Sequence, residues 1–375
     1  MTAVLPAALP AGLSRMPAPT LQTIPDAVTA NVVAIRSATA SHIMAVVKAD
    51  GYGHGAVAVA RAAVDAGATW LGVTDAADAT ELRAASIDVP ILAWLNPAGV
   101  DAVQVAMDRV DIGVGSVDEL RRLVSDAWAP VRVHLHADTG MSRGGCSIDE
   151  WPELLRTARD ARDRVEVVGI MGHLPRADEA DPAANAAAVT RMRHVRDMAL
   201  RAGLGPVIVH LAATAGALHD PATHFDMVRI GAGLVGIDPS GTTSLHGASR
   251  WTAAVVHSTR VNAGAAVGYA GAYVTRHATN LSVIGVGYAD GIPRELSSEA
   301  GVEIGGRRHP IVGRVSMDQI VVDTGDRVVP HGTIATIFGP DGGEVPSAQD
   351  WARWAGTIPH TIVTGIGPRV RRSVA

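Results

Sequence analysis

The chain has 375 residues, enough for about two domains. Hydrophobic residues make up 47% and charged residues 18%, which excludes a disordered chain and predicts a large core. The formal net charge of -5 argues against nucleic-acid binding, which calls for a basic surface. The single cysteine, Cys146, excludes an intrachain disulfide and a cysteine metal cluster, so no metal is expected.

The N-terminal stretch MTAVLPAALPAGLSRMPAP is apolar, but it has no Lys or Arg before Arg15, and Pro6 and Pro10 interrupt it. A signal peptide wants a basic start and an unbroken apolar run. Residues 1–22 therefore read as a disordered tail. No later run is apolar and long enough to span a membrane as a helix, and a cytoplasmic protein is expected.

From residue 23 to 241, short apolar runs alternate with amphipathic stretches. The runs are Met44–Val47, Trp70–Val73, Pro90–Trp94, Asp111–Val114, Val131–His136, Val165–Met171, Val207–Leu211 and Met227–Ile230. Helical patterns lie between them, as in Val57–Ala66, Ala77–Ala85, Val117–Ser125, Trp151–Ala161 and Asn185–Ala202. Eight such βα units over roughly 200–250 residues predict an α/β fold, a (β/α)8 barrel of the TIM type. The rival, an open doubly wound sheet, would carry a G-x-G-x-x-G turn after its first strand, and none is there. From 242 to 375 the texture changes to short apolar runs parted by Gly, Asp-Gly and Pro. Trp251–Ser258, Leu281–Val286, Val302–Ile304, Ile311–Val315, Gln319–Val322 and Thr333–Phe338 predict a C-terminal, mostly antiparallel β-domain, with Ala348–Trp354 as its main helix.

Chemistry in such a barrel sits at the C-terminal ends of the strands. Lys48 ends the first strand, Arg143 follows the fifth, His173 ends the sixth, and His210 and Thr214 lie at or beyond the seventh. Arg229 is near the end of the eighth, just before Gly231 and Gly233. Lys48 closes the buried-looking run Met44-Ala45-Val46-Val47. A desolvated lysine has a lowered pKa and attacks aldehydes, and the other reading is a lysine merely exposed at a strand end.

The string Val47-Lys48-Ala49-Asp50-Gly51-Tyr52-Gly53-His54-Gly55 resembles the cofactor-lysine motif of the alanine racemase family. Further segments in the same order look like the family's other motifs: Asp138-Thr139-Gly140-Met141-Ser142-Arg143, Gly169-Ile170-Met171-Gly172-His173 and Val228-Arg229-Ile230-Gly231 in the barrel. Gly268-Tyr269-Ala270, Gly287-Tyr288-Ala289-Asp290-Gly291 and Gly313-Arg314-Val315-Ser316-Met317-Asp318 match in the β-domain.

The resemblance implies a pyridoxal-5'-phosphate-dependent isomerase that interconverts L-alanine and D-alanine with two bases, Lys48 and Tyr269. It implies His173 and Arg229 as the link from that tyrosine to the cofactor ring, and Tyr52, Thr214, Gly231 and Ala232 as phosphate contacts. It also implies Arg143 and Met317 at the substrate, and a homodimer whose β-domain completes the partner's site. A racemase for another small amino acid such as serine, and a pyridoxal-dependent decarboxylase of the same architecture, are the alternatives. The chain departs from the family pattern in several places. His136 stands where a carbamylated lysine is frequent, Ala213 where an asparagine is usual, and Val235 and Gly365 where tyrosines are common. Gly172 replaces a threonine. Gly172 and Gly365 are expected to leave room for a larger substrate.

Overall fold

The computed structural model describes residues 17–96 and 99–375, and the chain folds into two compact units. One comprises residues 22–249 with 359–365 and 374–375; the other comprises the described residues up to Leu21 with 250–358 and 366–373. The expected tail lies outside the described residues as far as residue 16. It does not extend to residue 22, because Thr20–Thr23 is a strand with Leu21 fully buried.

The first unit is a closed barrel of eight parallel strands in chain order. These are His42–Val46, Trp70–Val73, Ile91–Ala93, Val110–Val114, Val131–His136, Val165–Met171, Ile208–His210 and Met227–Ile230. Parallel strands are covered on both faces, which is why they read as near-continuous apolar runs. Helices return the chain between them. Asp75, Asp101 and Asp181 cap three helix N-termini by accepting backbone N–H bonds, and Ser116 caps a fourth. The helix Ala102–Met107 is absent from the sequence reading because AVQVAM shows no polar face. Met44, Val46, Trp70, Leu92, Met171 and Met227 pack together as an apolar cluster. Room for the large rings comes from missing side chains. A Cβ on Gly72 would fall 2.6 Å from Trp94, and one on Gly169 would fall 2.1 Å from Nδ1 of His134.

The second unit is built on a mostly antiparallel sheet. Its path runs Arg307–Pro310, Gly301–Ile304, Ile334–Phe338, Ser249–Val261, Thr20–Thr23 and Arg371–Val374, and Thr279–Ile284 joins Ser249–Val261 to Ile320–Gly325. The expected strand at Ile311–Val315 is not formed; the strand is Arg307–Pro310. Gly313, at φ +74°, breaks the extension, and Ile311 keeps only an isolated bridge to Val322. Among the described residues no helix is long and apolar enough to cross a membrane.

Candidate active site

Lys48 stands directly after the first barrel strand, and the backbone that follows it is unusual. Ala49, Asp50, Gly51 and Tyr52 have φ between +53° and +59°, a single left-handed helical turn. Each non-glycine residue in that conformation costs about 1–2 kcal/mol, so the surroundings must impose it. Gly51 N–H donates to the Val47 carbonyl at 2.8 Å and Gly55 N–H to the Asp50 carbonyl at 2.9 Å. The Asp50 carboxylate accepts the Ala56 N–H at 2.8 Å. The buried His54 ring spans Tyr52 O (2.8 Å) and the Ser249 hydroxyl (2.9 Å), and Thr23 donates to the His54 carbonyl at 2.6 Å. Gly53 gives close approach to the chain itself, since a Cβ there would lie 2.5 Å from the Val363 carbonyl.

The turn aims Tyr52 across the barrel mouth. Its hydroxyl would be 2.2 Å from a Cβ on Gly231, so only glycine leaves the phenol its place. Burial pushes the Tyr52 pKa up to about 12, which keeps it a neutral donor. The Thr214 hydroxyl accepts N–H bonds from Gly231 (3.4 Å) and Gly233 (3.1 Å), which leaves its own O–H free to donate. Ala232, buried, opens the turn that follows the eighth strand.

Arg229 is almost wholly buried, at 6% exposure. Its Nη1 meets Nδ1 of His210 at 3.1 Å and the His210 carbonyl at 3.0 Å. Its Nη2 meets the Gly172 carbonyl (2.7 Å), the Leu211 carbonyl (3.1 Å) and Nδ1 of His173 (3.1 Å). Among the hydrogen bonds of the described residues, the Nε–H of Arg229 has no partner. Burial lowers the Arg229 pKa to about 10, leaving it a cation. His173 is held down to about 3 by burial and then by the Arg229 charge, so it is neutral. Thr139 pins it in place, donating to the His173 carbonyl at 2.6 Å and accepting its N–H at 3.0 Å. The Asp138 carboxylate accepts N–H bonds from Gly140, Met141 and Ser142, shaping the loop that carries Arg143.

Lys48, His136, Arg143 and His173 share the wall of a cavity of about 790 Å³. The Lys48 pKa is lowered, first by burial and then by Arg143 and Arg229. His136 is lowered to about 4 by burial and then by Arg229, so it is neutral and supplies no anion to Arg143. Arg143 makes no hydrogen bond or ion pair among the described residues. A Cβ on Gly172 would fall 2.6 Å from Thr139, and one on Gly365 would fall 2.7 Å from the Thr361 carbonyl. Val235 is buried at the end of the turn that follows the eighth strand.

His360 escaped the sequence reading. It lies in the helix Pro359–Thr364, its ring 6.1 Å from that of Tyr52, and its pKa is lowered by burial and by Lys48. No spacing signal links it to Lys48, far away in the chain.

Tyr269 and Met317 belong to the second unit, where the three β-domain motifs meet. Gly313 packs on the Val267 carbonyl beside the Tyr269 turn. Tyr288 and Ala289 donate N–H bonds to the Ser316 and Met317 carbonyls, both at 3.0 Å. Asp290 accepts the Gly287 N–H and pairs with Arg369, which also pairs with Asp318. This framework presents Tyr269 at 68% exposure and Met317 at 52%.

A parallel eight-stranded barrel with a half-buried lysine at its rim, its pKa lowered by burial and then by two arginines, joined in one chain to a mostly antiparallel domain, defines a class of barrel enzyme with a reactive amine at its mouth. Two family models cover the chain: the alanine racemase N-terminal domain matches residues 25–239 and the C-terminal domain residues 248–374. An alanine racemase of Salinispora tropica is 44% identical over 351 residues, 91% of this chain and 94% of that one. The solved alanine racemase of Streptomyces coelicolor superposes with a TM-score of 0.92 at 38% identity, covering 96% of this chain and 98% of the other. That of Bartonella henselae, solved with covalently bound pyridoxal phosphate, gives 0.85 at 28% identity, covering 96% and 100%. The chain belongs to the alanine racemase family.

Proposed function

We propose that this protein interconverts L-alanine and D-alanine, with pyridoxal phosphate held on Lys48. The observation that carries the reading is the buried Arg229, locked between His210 and His173, with its Nε–H left over. An arginine cannot accept a proton, so a ring nitrogen facing it stays unprotonated. A decarboxylase of this architecture would set an acid there. The residues suit the cofactor on structural grounds: Gly231 is hollowed beneath the Tyr52 hydroxyl, and Thr214 keeps a free O–H. Tyr52, Thr214, Gly231 and Ala232 would hold its phosphate, in the loops after strands seven and eight where barrels often bind phosphate.

When bound, pyridoxal phosphate supplies the electron sink that makes the α-proton of the amino acid removable. The protein supplies the rest. Lys48, once released, takes or returns the α-proton on the D face. Tyr269 does so on the L face, and it acts in the partner's site of a homodimer. His173, neutral and accepting from Arg229 at Nδ1, presents Nε2–H outward as a donor that positions the oxygen of that tyrosine. Arg143 pairs with the substrate carboxylate, and Met317 touches substrate through its backbone. The role would be D-alanine biosynthesis. A cytoplasmic setting fits a single cysteine that is buried, with its thiol raised to about 11 by burial.

The deciding experiment is chiral analysis of L-alanine incubated with the protein and pyridoxal phosphate. D-alanine accumulating to an equal mixture, abolished by Lys48→Ala, is the expected result. Untouched L-alanine would sink the proposal.

A further inference from the structure

The barrel interior holds a chain of buried polar groups that the reaction above does not use. Asp111 lies in the fourth barrel strand, His134 in the fifth and His210 in the seventh, at 2%, 0% and 0% exposure. Nε2 of His134 is 3.3 Å from Oδ2 of Asp111, and Nδ1 of His134 is 2.8 Å from Nε2 of His210. Nδ1 of His210 is 3.1 Å from Nη1 of Arg229. Arg132 closes the far end, its Nε donating to Oδ1 of Asp111 at 2.8 Å, with Nη2 3.4 Å from Oδ2. The barrel is shaped to admit these rings. Its register shifts between Val133 and His134, and Gly169 removes the Cβ that would collide with the His134 imidazole.

The protonation pattern follows from what each group can do. Arg229 only donates, so Nδ1 of His210 must accept. Burial holds both histidines neutral. His210 therefore carries its proton on Nε2 and donates to Nδ1 of His134. His134 in turn carries its proton on Nε2 and donates to the Asp111 carboxylate, an acceptor only. Every bond runs the same way, from the Arg229 cation to the Asp111 anion.

We propose that Asp111 and His134 are positioning residues, which act through His210 to fix the one hydrogen-bond pattern that lets Arg229 hold His210 with one arm and His173 with the other. The proposal rests on the reading that Arg229 faces the cofactor ring. Reversing the pattern would set the Nδ1–H of His210 against the donors of Arg229 and drive the guanidinium out of place.

Asp111→Asn tests this with nearly no change of shape. The Nε–H of Arg132 makes the shorter of its two contacts, 2.8 Å to Oδ1 against 3.4 Å from Nη2 to Oδ2, and so keeps the amide oxygen at Oδ1 and turns the amide NH₂ toward His134. His134 then accepts at Nε2 and donates from Nδ1, and the reversal reaches His210. A wrong tautomer enforced by an Asp→Asn change beside a histidine is known to cripple an enzyme whose geometry is otherwise intact. Ring-nitrogen NMR of the full-length protein labelled with ¹⁵N-histidine reads the tautomers with no substrate present. The wild type should show His134 and His210 as neutral Nε2–H rings; either as Nδ1–H or imidazolium overturns the proposal, without need of any variant. Asp111→Asn should move both rings toward Nδ1–H and lower kcat about 10- to 100-fold, as loss of an outer partner does for a metal-bound imidazole, with little change in KM. Adding Arg132→Met frees the introduced amide to turn its oxygen toward His134, and should restore the tautomers and most of kcat. A folded Asp111→Asn protein with wild-type spectra and kcat would refute the idea, as would failure of the double variant to recover either. If the wild type makes no D-alanine, the functional reading fails while the tautomer result stands.

Discussion

The barrel rim and the β-domain patch carry the two proposed bases in opposite ways. Around Lys48 the groups are buried, charged and fixed from several directions. A strained left-handed turn orients Tyr52, five hydrogen bonds hold the Arg229 guanidinium, and burial, then two arginines, depress the lysine. Around Tyr269 the backbone is just as firmly tied, through glycines and carbonyls, but the phenol and the Met317 side chain stand largely in solvent. The barrel tunes its base from within its own unit. The patch leaves its proposed base exposed, at 68%. A conformation as strained as Ala49–Tyr52 persists only where packing over-determines it, whereas an exposed aromatic on a rigid frame is what an interface requires.

The sharpest break of this contrast is Lys48→Ala. It should reduce racemisation at least about 10⁴-fold, the upper range for a positioned acid–base group, and remove the absorbance of lysine-bound cofactor while the β-domain stays folded. Tyr269→Phe should cost about 10²–10³-fold and leave cofactor binding intact. If Tyr269 serves the partner's site, mixing the two inactive variants should restore activity. Random pairing gives about one quarter of wild type, since half the dimers are mixed and each has one complete site. No recovery on mixing would put the tyrosine in its own chain's site or outside catalysis.

Gly231→Ala probes the rim more gently. The new methyl overlaps the Tyr52 hydroxyl. Calorimetry should show about 1–3 kcal/mol of lost stability, as for other overpacked positions, and cofactor titration a weaker Kd. Unchanged cofactor affinity would remove Tyr52 and Gly231 from the phosphate site.

The effect that leaves the neutral range untouched is in the acid range. His173 and His136 have folded pKa values of about 3 and 4, below the roughly 6.5 of an unfolded histidine. The unfolded chain therefore binds more protons between those limits. Stability is full above about pH 6.5 and falls as pH drops toward 4. Thermal melts across that range should show a declining Tm, with a shallower slope in His136→Gln. A flat profile would mean that these rings are more open to water than their burial implies.

Much of the architecture was legible in sequence because parallel strands leave a simple trace. Covered on both faces, they read as apolar runs, and all eight barrel strands fall within or beside the predicted runs. The motifs were legible too, since Lys48, His173 and Arg229 each sit at a strand end where a charged group is conspicuous. The short helix Ala102–Met107 and the polar strand Arg307–Pro310 were not, because each depends on what packs alongside. His360 and the Asp111–His134–His210 chain were equally hidden. Nothing in the spacing of residues 111, 134, 210 and 229 marks them as neighbours. Closing the barrel brings four separate strands to one axis, and burial among them then dictates which nitrogen carries each proton. The sequence determined the strands, their order and the identity of the reactive groups, because these follow from local pattern and residue chemistry. The tertiary structure alone decided which groups meet, how far they are desolvated and which way their hydrogen bonds run, because those depend on distances across the fold.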